Sequence, residues 1–155
     1  MGGITLDNAE DRIRANAELV RRVALENMNV KVSYDLDGVR WLDGFIDRQR
    51  NEATEEVKRK LSGTLGSYLG ECIRQTYGGE WIQDPEFGWS VRIKGGFSVF
   101  PFNKVQKQLA ADDGESVLGL FTAIDPLLAN AGKPAAISRE LPSDDSAKRP
   151  WWKFW

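Results

Sequence analysis

The sequence predicts an α+β domain in which N-terminal helices precede a three-stranded antiparallel meander at about residues 80–102, with two further helices after it. Apolar residues recur at helical spacing on both sides of a segment where apolar and polar residues alternate. Helical and strand patterns are segregated along the chain, which favours α+β over a parallel α/β sheet. The length of 155 residues favours one domain. We place it at 1–132, with a linker and an aromatic tail at 133–155.

Two helices are predicted at the N-terminal end. Residues 6–27 have Asp7 as a possible N-cap and an imperfect apolar stripe, so a helix is expected without a defined docking face. Apolar and polar residues alternate within residues 30–38, which is a strand signal over too few residues to establish one. A second helix is expected from the apolar spacing around Leu42, and Trp41 lies off its stripe or on the border.

The third helix, over residues 52–79, has the most regular pattern. Its apolar residues follow at i, i+4 from Val57 to Ile73, and a Gly-Gly pair ends it. Gly63, Gly66 and Gly70 stand inside this helix, where each glycine costs about 1 kcal/mol relative to alanine. We therefore expect another helix or the sheet to approach this face closely.

The strands of the meander are expected at residues 80–84, 88–93 and 97–102, joined by turns with glycine and proline. Asn103 is a natural N-cap for a helix over 103–114, and Pro126 should kink or split the last helix, 115–132. The aromatic residues of this region are expected to fill the core between sheet and helices. They are Trp81, Trp89, Phe97, Phe100 and Phe102.

Composition argues against several classes of function. The net charge is −2, from 21 basic and 23 acidic residues, which disfavours nucleic-acid binding. Histidine is absent and there is one cysteine, Cys72, so no metal site, cofactor or intrachain disulfide is expected, and Cys72 is interpreted as a core residue. No apolar run approaches the roughly 18 residues of a membrane span, and the first residues do not resemble a signal peptide. A cytoplasmic protein is the expectation.

The stretch "LGSYLGECIRQTYGGEW" (65–81), followed by "GWSVRI" and "FPFNKVQKQL", resembles a family of small bacterial domains of uncharacterised function. Some relatives occur near toxin–immunity loci. The similar region covers about residues 35–130. The resemblance implies an architecture and the general possibility of an immunity-type inhibitor, but no catalytic residues.

Glu71 is the main candidate for a catalytic carboxylate. It lies near the apolar stripe of the third helix, so a buried carboxyl there needs partners or a raised pKa. As an acid/base catalyst it would work in a cleft with Arg92. As a structural anchor, the favoured interpretation, it would pair with Arg92 or accept backbone N–H groups of the meander. The acidic residues Glu80, Asp84 and Glu86 are interpreted as a solvated turn.

The chain ends in "KRPWWKFW", which places large aromatic rings beside cations. Three alternatives compete for this tail: a membrane surface, disfavoured by the weak local charge; a groove of a partner protein; or its own domain or a second subunit. The leading hypothesis is a non-enzymatic protein-interaction module, with an enzyme based on Glu71 as the alternative from another class. The expected partner-binding residues are Trp151, Trp152, Phe154, Trp155, Arg149 and Lys153.

Overall fold

The computed structural model describes residues 6–94, 96–111, 114 and 116–130, and these form five helices and a three-stranded sheet. The fold class is α+β, as predicted: helices, then a meander, then helices. The elements are α1 (Leu6–Met28), α2 (Leu36–Glu52), α3 (Glu55–Tyr77), β1 (Gly79–Asp84), β2 (Gly88–Ile93), β3 (Phe97–Val99), α4 (Pro101–Ala110) and α5 (Val117–Asn130).

The sheet is an antiparallel meander in the order β1-β2-β3. Trp81 of β1 lies opposite Val91 of β2, which in turn lies opposite Val99 of β3. The first turn is held by Asp84, whose carboxylate accepts the backbone N–H groups of Glu86 at 2.8 Å and Phe87 at 2.9 Å. This is a local Asx turn, which explains why the first strand ends in an acidic residue.

Helix α3 is the central element of the fold. Helices α1, α2 and α4 and strands β1 and β2 all pack against it. Every residue from Leu65 to Ile73 is buried, on all sides of the helix, because neighbours surround this part of α3. The helix begins at Thr54, whose hydroxyl accepts the Val57 N–H at 3.2 Å, and ends at Gly78 with a φ of +75°.

The interior glycines of α3 confirm the expected close approach at two of three positions. A Cβ atom built at Gly70 would lie 2.0 Å from the ring of Trp81, and one at Gly66 would lie 2.9 Å from the Cα of Phe102. Strand β1 and helix α4 therefore sit directly on the helix backbone. At Gly63, a Cβ atom would meet no atom of the described residues within 4 Å, so these residues supply no such packing reason there.

One local expectation was wrong, because helix α4 begins at Pro101, so Asn103 is not its N-cap and the third strand is shorter than expected. The strand signal within residues 30–38, too short to establish a strand, does not correspond to one. Residues 29–35 form an irregular connection, and the Arg21 side chain ties it to α1 by donating to the Val32 carbonyl at 2.9 Å. Of the two outcomes expected at Pro126, a kink or a split, the split does not occur, since α5 is continuous through this residue.

The linker and the aromatic tail lie outside the described residues, as do residues 1–5. No helix of the described part has both the length and the apolar character needed to cross a membrane.

Candidate functional site

Glu71 is 3% exposed, and its carboxylate is held by three side chains. Arg74 donates to both carboxylate oxygens, at 2.8 and 2.9 Å, and Gln75 donates to one of them at 3.0 Å. The Trp81 indole Nε1–H donates at 2.8 Å from β1. The expected structural role is therefore supported, but with different partners from those predicted.

Arg92, the predicted partner of Glu71, lies elsewhere. It is exposed on β2, where it stands opposite Glu80 of β1. The structure therefore does not bring the two candidate catalytic residues together. Two of the three actual partners, Arg74 and Gln75, lie on the same helix at i+3 and i+4, which is a spacing that sequence alone could have suggested. The third, Trp81, comes from β1.

The electrostatics of Glu71 are those of an anchor. Burial by itself would raise the pKa of the carboxyl, but the hydrogen bonds from Arg74, Trp81 and Gln75 outweigh burial and hold the pKa below its ordinary value of 4.5. A general acid or base working near neutral pH needs the opposite shift. The arrangement links α3 to β1 and holds the Trp81 ring against Gly70.

A second polar network, which the sequence did not reveal, joins α2, α4 and the start of α5. The Gln108 amide, on a residue 2% exposed, donates to Asp43 at 3.0 Å and accepts the Val117 N–H at 2.8 Å. Asp43 also accepts the Ser116 hydroxyl at 2.8 Å. These side chains satisfy the donors at the beginning of α5, so the network orders the helix start.

The remaining chemical candidates have structural surroundings. Burial raises the pKa of the Cys72 thiol to about 12, so this cysteine is protonated and inert at neutral pH. Glu80 and Glu86 are exposed, in agreement with a solvated turn. Within the described residues, no group of three or more acidic or cysteine side chains could hold a metal ion.

An apolar groove lies between α1 and α2. Both helices pack against α3 but make little direct contact with each other, so the gap between them has α3 as its floor. The groove has a volume of about 230 Å³, and nine of its ten lining residues are apolar. They are Leu19, Val20, Val23, Ala24 and Met28 from α1, Trp41 and Phe45 from α2, and Leu61, Thr64 and Leu65 from α3.

The groove has aromatic walls and flexible apolar edges. Trp41 stacks on Phe45 with ring centroids 5.3 Å apart and also meets the buried Tyr68 edge-on at 6.3 Å. Leu19 and Met28, on the α1 side, are 36% and 37% exposed. Large apolar side chains at this exposure, next to half-buried aromatic rings, are typical of binding surfaces.

In the sequence, Trp41 lies off the apolar stripe of α2 or on its border, and this position by itself does not indicate a groove. It was nevertheless the one sequence signal of the groove, because a tryptophan beside the core-facing stripe of a helix borders on solvent.

The predicted partner-binding residues, 149 and 151–155, lie outside the described part of the chain. Comparison of the chain with protein-family models, with curated proteins and with solved structures finds no match in any of the three.

Proposed function

We propose that this chain is a non-enzymatic protein-interaction module that binds apolar, aromatic-rich segments in the groove between α1 and α2. The observation that carries the proposal is the groove itself: nine of its ten lining residues are apolar, and it opens between two helices that hardly touch. The Trp-rich segment 151–155 is the second interaction element, for which a partner, a second subunit and the chain's own domain are the alternative docking surfaces.

The size of the groove favours side chains of a peptide over an enclosed small molecule. Its volume of about 230 Å³ is below the roughly 300–1,000 Å³ of typical ligand pockets. One or two inserted side chains, flanked by contacts along α1 and α2, match the way a helix or an extended segment binds in a hydrophobic groove. Burying one aromatic ring removes about 150–250 Å² from water, which at about 25 cal/mol per Å² corresponds to roughly 4–6 kcal/mol before ordering costs.

The alternative from another class, an acid/base enzyme based on Glu71, is disfavoured by the geometry. Its carboxylate is buried, accepts hydrogen bonds from Arg74, Gln75 and Trp81, and has a lowered pKa. A catalytic carboxyl needs access to substrate and a pKa closer to neutrality. Substitution of Glu71 should therefore change stability and leave binding in the groove intact.

An immunity-type inhibitor is a more specific version of this proposal, and it is what the resemblance to the bacterial domain family implies. Peripheral membrane association through segment 148–155 is a separate alternative. Its rings and its three cations, Lys148, Arg149 and Lys153, favour it, and the weak local charge disfavours it. Binding of the full chain to anionic vesicles, compared with a chain in which the four aromatic residues of 151–155 are serine, tests the membrane version directly.

Site-specific photo-crosslinking tests the interaction module. A benzophenone amino acid replaces Leu19, at the edge of the groove, in the full chain, and the matched control carries it at Glu80 on the sheet, which is also exposed. Each is made with the native tail and with the four tail aromatics changed to serine. We expect discrete adducts with another protein from position 19 and not from position 80. The same adducts from both positions, or none from position 19 with either tail, would contradict the proposal.

A further inference from the structure

We infer that the groove between α1 and α2 is occupied in the free protein by the chain's own Trp-rich segment, residues 151–155, so that a partner must displace this segment to bind. The inference rests on the proposed function, because it takes the groove as the binding surface. It goes further because it names the segment that fills the groove in the free protein and makes that segment compete with a partner for the same surface.

The chain is long enough for this contact. Helix α5 ends at Asn130, and 20 residues separate it from Trp151. An unstructured chain of that length has a root-mean-square span of about 25 Å. A folded body of about 125 residues has a radius of gyration of only about 14 Å. Helix α5 also packs on α2, the helix that supplies Trp41 and Phe45 to the groove.

The short connection favours docking in cis over docking onto a second copy. A tethered segment whose linker matches the required span is present at an effective concentration in the millimolar range. The segment of a second molecule competes equally for the groove only when the protein concentration is also near millimolar. At micromolar protein concentration, the segment of the same chain is therefore the favoured occupant.

The groove is chemically suited to an indole ring. Trp41 and Phe45 offer aromatic faces, and Met28 offers a polarizable thioether at the edge. A buried indole N–H needs an acceptor, and Thr64 is the single polar residue among the described lining residues. Its hydroxyl donates to the Lys60 carbonyl at 3.4 Å, which leaves oxygen lone pairs available to accept a hydrogen bond.

Docking also removes two liabilities together. An open apolar groove and an exposed cluster of four large aromatic residues would each promote aggregation. Pairing them within one molecule covers both surfaces without requiring another protein.

A cysteine cross-linking experiment on the full chain tests the inference. Leu19→Cys and Lys153→Cys are combined and treated with a short bismaleimide at micromolar protein concentration. The native Cys72 is buried with a raised pKa, so it does not compete. The matched control combines Glu80→Cys with Lys153→Cys, which keeps the same tether but moves the first cysteine to the sheet.

We expect an intrachain cross-link that forms at least about tenfold faster from position 19 than from position 80. Changing Trp151, Trp152, Phe154 and Trp155 to serine in the first variant should lower its rate to that of the control. Equal rates from the two positions, an unchanged rate after the serine substitutions, or mainly interchain dimers would each overturn docking in cis. Because no other protein is present, the result is separate from the search for partner adducts: either proposal can fail while the other holds.

Discussion

Replacing Gly70 by alanine should destabilise the protein even though alanine is the better helix former. The new Cβ atom would lie 2.0 Å from the Trp81 ring, whereas carbon atoms in contact are about 3.5–4.0 Å apart, so the ring must retreat by about 1.5 Å. That movement breaks the 2.8 Å hydrogen bond from the Trp81 indole to Glu71. Overpacking costs about 1–3 kcal/mol and the lost bond to a buried carboxylate about 1.5–3, while helix propensity returns about 1. We expect a net loss of roughly 1.5–5 kcal/mol in the free energy of unfolding.

Gly63→Ala is the matched control on the same helix. No atom of the part of the chain that the structure describes lies within 4 Å of the new Cβ, so helix propensity decides the outcome and the variant should gain about 0.5–1 kcal/mol. Urea unfolding followed by far-ultraviolet circular dichroism measures both variants in the full chain. If Gly70→Ala stays within about 0.5 kcal/mol of the original protein, or is stabilised like Gly63→Ala, the Trp81 ring is not seated on the helix backbone.

A double-mutant cycle assigns the cost to the ring itself. Trp81→Leu removes the ring atoms that the new Cβ would meet, so Gly70→Ala should cost much less in that background. We expect a coupling free energy of about 1 kcal/mol or more between the two positions, which is typical of residues in direct contact. Additive effects of the two substitutions would indicate that Gly70→Ala acts through something other than the Trp81 ring.

Three further substitutions test the buried polar contacts by urea unfolding. Glu71→Gln should cost about 1.5–3 kcal/mol at neutral pH. Because the pKa of Glu71 is lowered, its stabilisation is fully present above the ordinary value of 4.5 and is lost as the pH falls through the lowered pKa. The difference in the free energy of unfolding between variant and original protein should therefore shrink progressively as the pH is taken below 4.5, and a constant difference would refute the paired carboxylate. Tyr68→Phe removes a hydroxyl that donates to the Ser33 carbonyl and should cost about 0.5–1.5 kcal/mol, whereas no loss would argue against this bond. Gln108→Leu removes the hydrogen-bond partner of the Asp43 carboxylate and of the Val117 N–H, so it should lower the free energy of unfolding by about 2–4 kcal/mol. An unchanged free energy of unfolding would contradict the network.

The sequence was sufficient for those elements whose signals are local. The helical spacing around Leu42 and Leu65 and the alternation in β2 each show which residues of one element face the core. The fold class and the order of the elements could therefore be predicted from these patterns. The glycines of α3 predicted a close approach, and Trp81 over Gly70 confirms it. The glycines alone gave no way to tell Gly63, which nothing covers, from Gly66 and Gly70.

Contacts between distant residues were beyond the sequence. Val30 and Val32 alternate with polar residues like a strand, but no neighbouring strand pairs with them, and the Val32 carbonyl is instead bonded to Arg21. The link from Asp43 to Gln108 spans 65 residues, so no spacing rule could indicate it. The start of α4 was misjudged for a local reason, because Pro101 suits the first helical turn as well as it suits the end of a strand.

The Glu71 network and the groove both lie on α3. Trp81 of β1 packs on Gly70 and every residue from Leu65 to Ile73 is buried, so the Glu71 carboxyl needs the donors that its neighbours supply. Nearer the N-terminus of α3, Leu61 and Thr64 are half-buried and line the groove between α1 and α2. The buried part of the helix has its carboxylate satisfied by Arg74, Gln75 and Trp81, whereas the part beside the groove offers apolar side chains. Binding in the groove, as proposed, would therefore remove apolar surface from water without using the side chains that hold Glu71.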